Sequence, residues 1–182
     1  MFVFVGLGNP GEEYARTRHN AGFLLADALA QVTGGHWENQ RKVLSLVART
    51  EQALLVKPQT YMNESGVAVQ KVVSYYKLAP DMNNQLWVGF DDLDLPFGSF
   101  KIQFGRGPKV HNGLLSVYQH FGTDQFWHVR IGVDSRAGDR SLPGSSYVLQ
   151  PFTSEEQGKL LAIFTTIISS LQKELHPTPP TK

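Results

Sequence analysis

The strongest constraint in this chain is an alternation of two hydrophobic periods. Short apolar runs of strand length are separated by stretches whose apolar residues recur at helical spacing. Phe2-Val3-Phe4-Val5, closed by Gly6, has the pattern of a central strand. Residues 20–32 carry Phe23, Leu24, Ala28, Leu29 and Val32 on one helical face, with Asn20 as the expected N-cap. Residues 43–49 and 53–57 read as two strands joined by a short polar turn, the second ended by Pro58. The stretch 65–77 is expected to be helical, with Val67, Val72 and either Tyr75 or Tyr76 facing inward. Residues 86–90 form a buried strand that ends at Asp91-Asp92. Phe100, Ile102 and Phe104 alternate with Lys101 and Gln103 in a strand over 99–104. A helix over 112–121 precedes a further alternating strand at 127–133. Leu160, Leu161, Phe164, Ile167, Ile168 and Leu171 make 154–175 a long amphipathic helix. Strands interleaved with helices predict an α/β fold with a central sheet flanked by helices. The 99–104 strand follows its predecessor by a short connection, so part of that sheet should be antiparallel and the whole mixed.

A chain of 182 residues is long enough for one domain to bury a full core without staples. That domain is expected over 1–175. The segment 176–182 holds three prolines and is expected to be a flexible tail. Cysteine is absent, which excludes disulfides, thiolate catalysis and zinc–cysteine or iron–sulfur sites. No apolar run is long enough to span a bilayer, and the first residues lack the basic region of a signal peptide. A cytoplasmic location is the expectation. A net charge of +1 gives no bulk case for nucleic acid or membrane, so any such argument must be local. With even charge and no coiled-coil seam, a monomer is expected.

Polar clusters follow the apolar strands: Gly8-Asn9-Pro10-Gly11, Tyr61-Met62-Asn63 and Asp91-Asp92-Leu93-Asp94. A fourth, His111-Asn112-Gly113, opens a helix. Ligands of open α/β sheets bind beyond the carboxyl ends of strands, so these clusters are the candidate site. They contain no nucleophile elbow and no metal-ligand spacing.

Gly6-Leu7-Gly8-Asn9-Pro10-Gly11 matches the dinucleotide fingerprint formally. The helix pattern starts only near Asn20, and no acidic strand end follows at the right distance. A tight glycine turn after a strand accounts for the motif. His19 has two readings: a surface histidine, or a general base whose neutral form suits pH 7 and is favoured further by a helix N-terminus. In the second, a carboxylate on the other ring nitrogen would fix the tautomer. Asp91, Asp92 and Asp94 are the candidates, and at least two of them are expected to form a solvated turn. Residues 95–123 hold no acidic residue. Phe104-Gly105-Arg106-Gly107-Pro108-Lys109 is either a phosphate-presenting loop or a mobile solubilising one.

In this order the clusters resemble bacterial-type peptidyl-tRNA hydrolase. The resemblance is carried by residues 6–11 with Tyr14 and Thr17-Arg18-His19-Asn20. It continues in Lys57-Pro58-Gln59-Thr60-Tyr61-Met62-Asn63 with Ser65-Gly66, in Asp91-Asp92-Leu93-Asp94-Leu95-Pro96 with Gly98, and in His111-Asn112-Gly113-Leu114. It implies one mixed sheet flanked by helices. It also implies hydrolysis of the ester between a peptide and the 3′ end of tRNA, without metal or cofactor. By the same resemblance His19 is the general base and Asp91 the carboxylate that holds it. Asn9 separates N-blocked from free aminoacyl-tRNA, and Tyr14, Tyr61, Asn63 and Asn112 contact substrate. Arg130 falls at a position associated with tRNA phosphate. The sequence also departs from the pattern. Lys109 and Val110 stand where two glycines usually precede the His-Asn-Gly. Gln103 stands where a second basic residue usually joins Arg130, leaving Lys101 or Lys109 to substitute.

Two other readings compete with the hydrolase. A hydrolase-like RNA-binding protein without turnover is motivated by Gln103 and the 106–110 loop, but has no use for a paired base and carboxylate. A dinucleotide-dependent oxidoreductase rests on the glycine motif alone.

Overall fold

The computed structural model describes residues 2–78, 85–108 and 110–175. The tail 176–182 and Lys109 lie outside the described residues. Among the described residues, seven strands form one sheet in the order β2-β3-β4-β1-β5-β7-β6. They are β1 (Phe2–Gly6), β2 (Trp37–Gln40), β3 (Ser45–Arg49), β4 (Ala53–Pro58), β5 (Leu86–Pro96), β6 (Phe100–Phe104) and β7 (Trp127–Asp134). The helices are α1 (Ala21–Thr33), α2 (Ser65–Tyr75), α3 (Asn112–Phe121), α4 (Gly144–Val148) and α5 (Ser154–Leu175). The expected mixed α/β sheet is what forms. β4, β1, β5 and β7 run parallel, while β3 is antiparallel to β4 and β6 to β7.

The central strands are apolar because both of their faces are covered. Phe4, Leu55, Trp87, Val129 and Ile131 pack with α1 and α5 in one core cluster. Val3, Val5, Leu54, Val56, Val88 and Phe90 pack with α2 and α3 in the other. Two inward assignments fail. Val32, in the last turn of α1, is 63% exposed, and Leu161 on α5 is 70% exposed. Of the tyrosine pair, Tyr76 packs on the core while Tyr75 is exposed. β2 and α4 escape sequence patterning. Trp37-Glu38-Asn39-Gln40 has no apolar alternation because it is an edge strand paired only with β3, where charge guards against further pairing. α4 is one short turn behind Pro143. β6 is antiparallel as expected, but its partner is β7, which inserts beside β5.

From β1 the chain moves toward β4, and from β5 toward β7. The direction of winding reverses between these two neighbours, the place where a crevice opens beyond the carboxyl ends. Glycines set how closely α1 can sit there. A Cβ on Gly22 would lie 2.2 Å from Gly89 O and 2.5 Å from Leu7 N, and one on Gly6 would lie 2.2 Å from Gly22 O. These neighbours are backbone and cannot swing aside. Gly22→Ala is therefore expected to destabilise the fold by about 3 kcal/mol through overpacking, lowering Tm by roughly 10 °C. An unchanged melting curve would mean that α1 can slide off the sheet at no cost.

Candidate active site

The loop after β1 carries the first cluster and passes through two 3-10 turns, Glu12–Tyr14 and Arg18–Asn20, before α1 starts at Ala21. The glycine motif thus opens no helix. Gly11 takes φ 116° in the turn, while Gly6 and Gly8 give room to Gly22 and Phe23 of α1. Asn20 does not cap α1. Its Oδ1 accepts from Asn9 N and its Nδ2 donates to Asn9 O, both at 2.9 Å. This reciprocal pair fixes the Asn9 backbone. Asn9 Oδ1 in turn accepts from Met62 N at 2.8 Å. The Asn9 acceptor is thereby used, and the group left for the cleft is its NH₂ donor.

His19 and Asp91 arrive from the two strands that flank the reversal. His19 Nδ1 lies 2.8 Å from Asp91 Oδ1. His111 Nε2 lies 2.9 Å from the same oxygen. His111 is also the N-cap of α3, its Nδ1 accepting from Leu114 N at 3.2 Å. That bond settles the tautomers. A Nδ1 that accepts cannot carry the proton, so His111 Nε2 holds it and donates to Asp91. His19 Nδ1 likewise donates to the carboxylate, which leaves His19 Nε2 as an unprotonated nitrogen.

The electrostatics follow from this cluster. Burial works against the His19 imidazolium most strongly, yet the charge and hydrogen bond of Asp91 together outweigh it and the pKa is raised. The lowering expected from a helix N-terminus is overridden by the carboxylate. Burial alone would push the Asp91 carboxyl up. The two imidazoles reverse that and hold it well below the usual carboxylate range. The ligand atoms of His19, Asp91 and His111 lie within 4.8 Å of one another, close enough to share a cation. Coordination by His111 Nε2 would move its proton to Nδ1 and break the cap on Leu114. As bonded, the set fits proton handling better than metal binding.

A cleft of about 780 Å³ opens over this cluster. Asn9, Tyr14, His19, Tyr61, Asn63, Asp91 and Asn112 all line it. His111, Val110 and the α4 residues Gly144, Ser145 and Val148 line it as well. Tyr61 stands 60% exposed at the mouth.

The comparisons with known proteins agree with this geometry. The family model for peptidyl-tRNA hydrolase matches residues 3–178. The chain belongs to the peptidyl-tRNA hydrolase family. Members of this family hydrolyse the peptidyl-tRNA ester bond. A peptidyl-tRNA hydrolase of Chloroflexus aggregans is 39% identical over 94% of this chain and 91% of its own. One of Carboxydothermus hydrogenoformans is 44% identical over 86% and 82%. The crystal structure of peptidyl-tRNA hydrolase from Acinetobacter baumannii superposes with a TM-score of 0.76 at 30% identity, covering 100% of this chain and 97% of that one.

The family resemblance puts three further residues on the tRNA side. Arg130 does not present a free guanidinium. It is buried, with Nε donating to Asp92 Oδ2 at 2.6 Å and Nη1 to Gln103 Oε1 at 2.9 Å. Lys101 is exposed on edge strand β6, directly opposite Arg130 in the ladder. The assignment of Lys109 falls outside the described residues. Asp92 is correspondingly not part of a solvated turn; its other oxygen accepts from Asp94 N at 2.8 Å. Only Asp94 of the trio is exposed. His111 has no individual role in the sequence reading. The signal that could have found it is its position, a ring at the first residue before a helix, where a side chain must accept from the backbone.

Proposed function

We propose that this chain cleaves peptidyl-tRNA with His19 as general base and water as the nucleophile. The observation that carries this is the Asp91 carboxylate shared by two histidines, one tautomer locked by Leu114 and the other left with a bare Nε2 on the cleft. That nitrogen takes a proton from water as the oxygen attacks the ester carbonyl. The imidazolium formed is stabilised by Asp91 across 2.8 Å. The tetrahedral oxyanion accepts from the Asn9 amide, whose orientation Met62 has set in advance. When the intermediate collapses, the imidazolium returns its proton to the departing ribose oxygen. The peptide leaves as an acid and the tRNA with its hydroxyl restored. On this reading the chain acts as a monomer, with water as the co-reactant, in the cytoplasm where translation runs.

The donor-only face of Asn9 also supplies selectivity. An N-blocked substrate brings carbonyl acceptors to it. A free α-ammonium brings only donors, loses hydration, and finds no matching group in Asn9. Tyr14 and Tyr61 offer rings to a terminal base or a peptide side chain, and Asn63 and Asn112 offer amides to its backbone. Beyond the cleft, Lys101 is the exposed cation beside the neutralised Arg130, and phosphate is expected to meet it first.

The test is release of N-acetylaminoacyl groups from tRNA, with free aminoacyl-tRNA in parallel. The expected result is cleavage of the blocked ester only. Binding of tRNA without turnover would favour the RNA-binding reading instead. Equal cleavage of both esters would remove Asn9 from the selectivity role.

A further inference from the structure

A second buried ionic cluster lies behind the cleft wall, and the hydrolytic steps leave it unused. Arg18, the residue before the base, is 4% exposed. Its Nη2 donates to Glu156 Oε2 at 2.7 Å and its Nη1 to Pro151 O at 2.9 Å. Its guanidinium carbon sits 4.3 Å from the centroid of the Tyr147 ring. Its buried Nε finds no partner, whereas both carboxylate oxygens of Glu156 are engaged. Oε1 accepts from Ser135 Oγ at 2.5 Å, and Oε2 also accepts from Thr153 N at 2.7 Å. Its own N–H donates to Thr153 Oγ1 at 3.2 Å, which completes a capping box at the start of α5. Tyr147 Oη accepts from Ser135 N at 3.0 Å and donates to Val133 O at 3.3 Å.

Stability alone does not account for two charges here. An apolar pair of the same volume would avoid their desolvation, and a capping box needs no arginine. What the pair does is join segments. Arg18 N donates to Gln150 O at 3.1 Å, Phe152 N to Arg16 O at 3.0 Å, and Thr17 bridges Pro151. One side of this junction carries His19. The other carries α4 and Leu149, which form a wall of the cleft.

We propose that Arg18 and Glu156 are positioning residues for the hydrolysis: their buried ion pair holds the α4 wall in register with the His19 loop, so that the groove is assembled before substrate arrives. This rests on the hydrolytic reading above. His19 is anchored separately, through Asp91 on β5. Loosening the pair therefore acts on how substrate is held more than on how the proton moves.

The test is steady-state kinetics on N-acetylaminoacyl-tRNA, at a temperature where each variant is shown to be folded. Glu156→Gln keeps a capping residue and removes the charge. The double variant Arg18→Met/Glu156→Leu removes both charges and leaves neither buried alone, so it serves even where the single variant fails to fold. Both are expected to raise KM roughly tenfold with kcat within about twofold. Arg18→Lys, which keeps the charge but loses the fork, is expected to fall between them and the parent. Wild-type KM and kcat in folded variants, with only Tm lowered, would overturn the proposal and leave the pair a structural one. A fall in kcat at constant KM would overturn it too, because the pair would then act through the base. An inactive parent enzyme would instead overturn the hydrolytic reading, and the wild-type control reports that separately.

Discussion

His19→Ala is expected to lower kcat on N-acetylaminoacyl-tRNA by roughly 10²–10⁴, with tRNA affinity little changed. The imidazole is the group on the cleft with an unprotonated nitrogen created by its own hydrogen bonds, through Nδ1 to Asp91 and through Asp91 to His111. Removing it leaves water to attack without a base. It does not leave the carboxylate stranded, because Asp91 Oδ1 still accepts from His111 Nε2 at 2.9 Å. The variant should therefore fold. The contacts proposed for substrate, Tyr14, Tyr61, Asn63 and Asn112, lie on other parts of the cleft wall and should keep KM within a few fold. The measurement is kcat and KM on the blocked ester, with equilibrium tRNA binding in parallel. Near-normal turnover would end the general-base assignment. Lost turnover together with lost tRNA binding would shift His19 from chemistry to recognition.

Much of this site was legible because its residues sit where strand patterns stop. Asn9, Tyr61 and Asp91 each follow an apolar run and line one cleft, although β5 does not end at Asp91 as its apolar run suggested but continues to Pro96. What stayed hidden depends on which strands become neighbours. β7 enters between β5 and β6, and only that order puts Arg130 against Asp92 in a buried pair. No local pattern encodes that partner. Asn20 has the position of a cap, but its amide is spent on the Asn9 backbone, a contact made eleven residues away. His111 was hidden for a different reason. A histidine before a helix has an obvious local partner in the backbone, and its second nitrogen reaches Asp91 only once α3 has packed on the sheet.

Asp91→Asn should be the next largest loss, and the second histidine decides its form. Asparagine has the same shape, and the question is which end of its amide faces the rings. His111 Nε2 must carry a proton because His111 Nδ1 accepts from Leu114 N. An NH₂ turned toward it would meet donor with donor. The substituted amide is thus expected to keep its oxygen on both histidines, and His19 to keep the tautomer with a bare Nε2. What disappears is the negative charge that stabilises the imidazolium. A fall in kcat of roughly 10²-fold follows, about 2.7 kcal/mol, less than the upper range for His19→Ala. The pH dependence has a definite sign. Asp91 raises the His19 pKa, and the working form is the neutral base, so activity is lost as pH falls through that value. Without the charge the pKa drops, and the acid limb of the kcat profile should move to lower pH. Adding His111→Ala releases the lock. The amide can then turn, His19 Nδ1 becomes the acceptor, its proton goes to Nε2, and the base is lost. The double variant should be worse than the two single losses combined. An acid limb that stays in place in Asp91→Asn would show that something other than Asp91 tunes the base. Simple additivity in the double variant would show that the tautomer of His19 is held by a contact other than the one through His111.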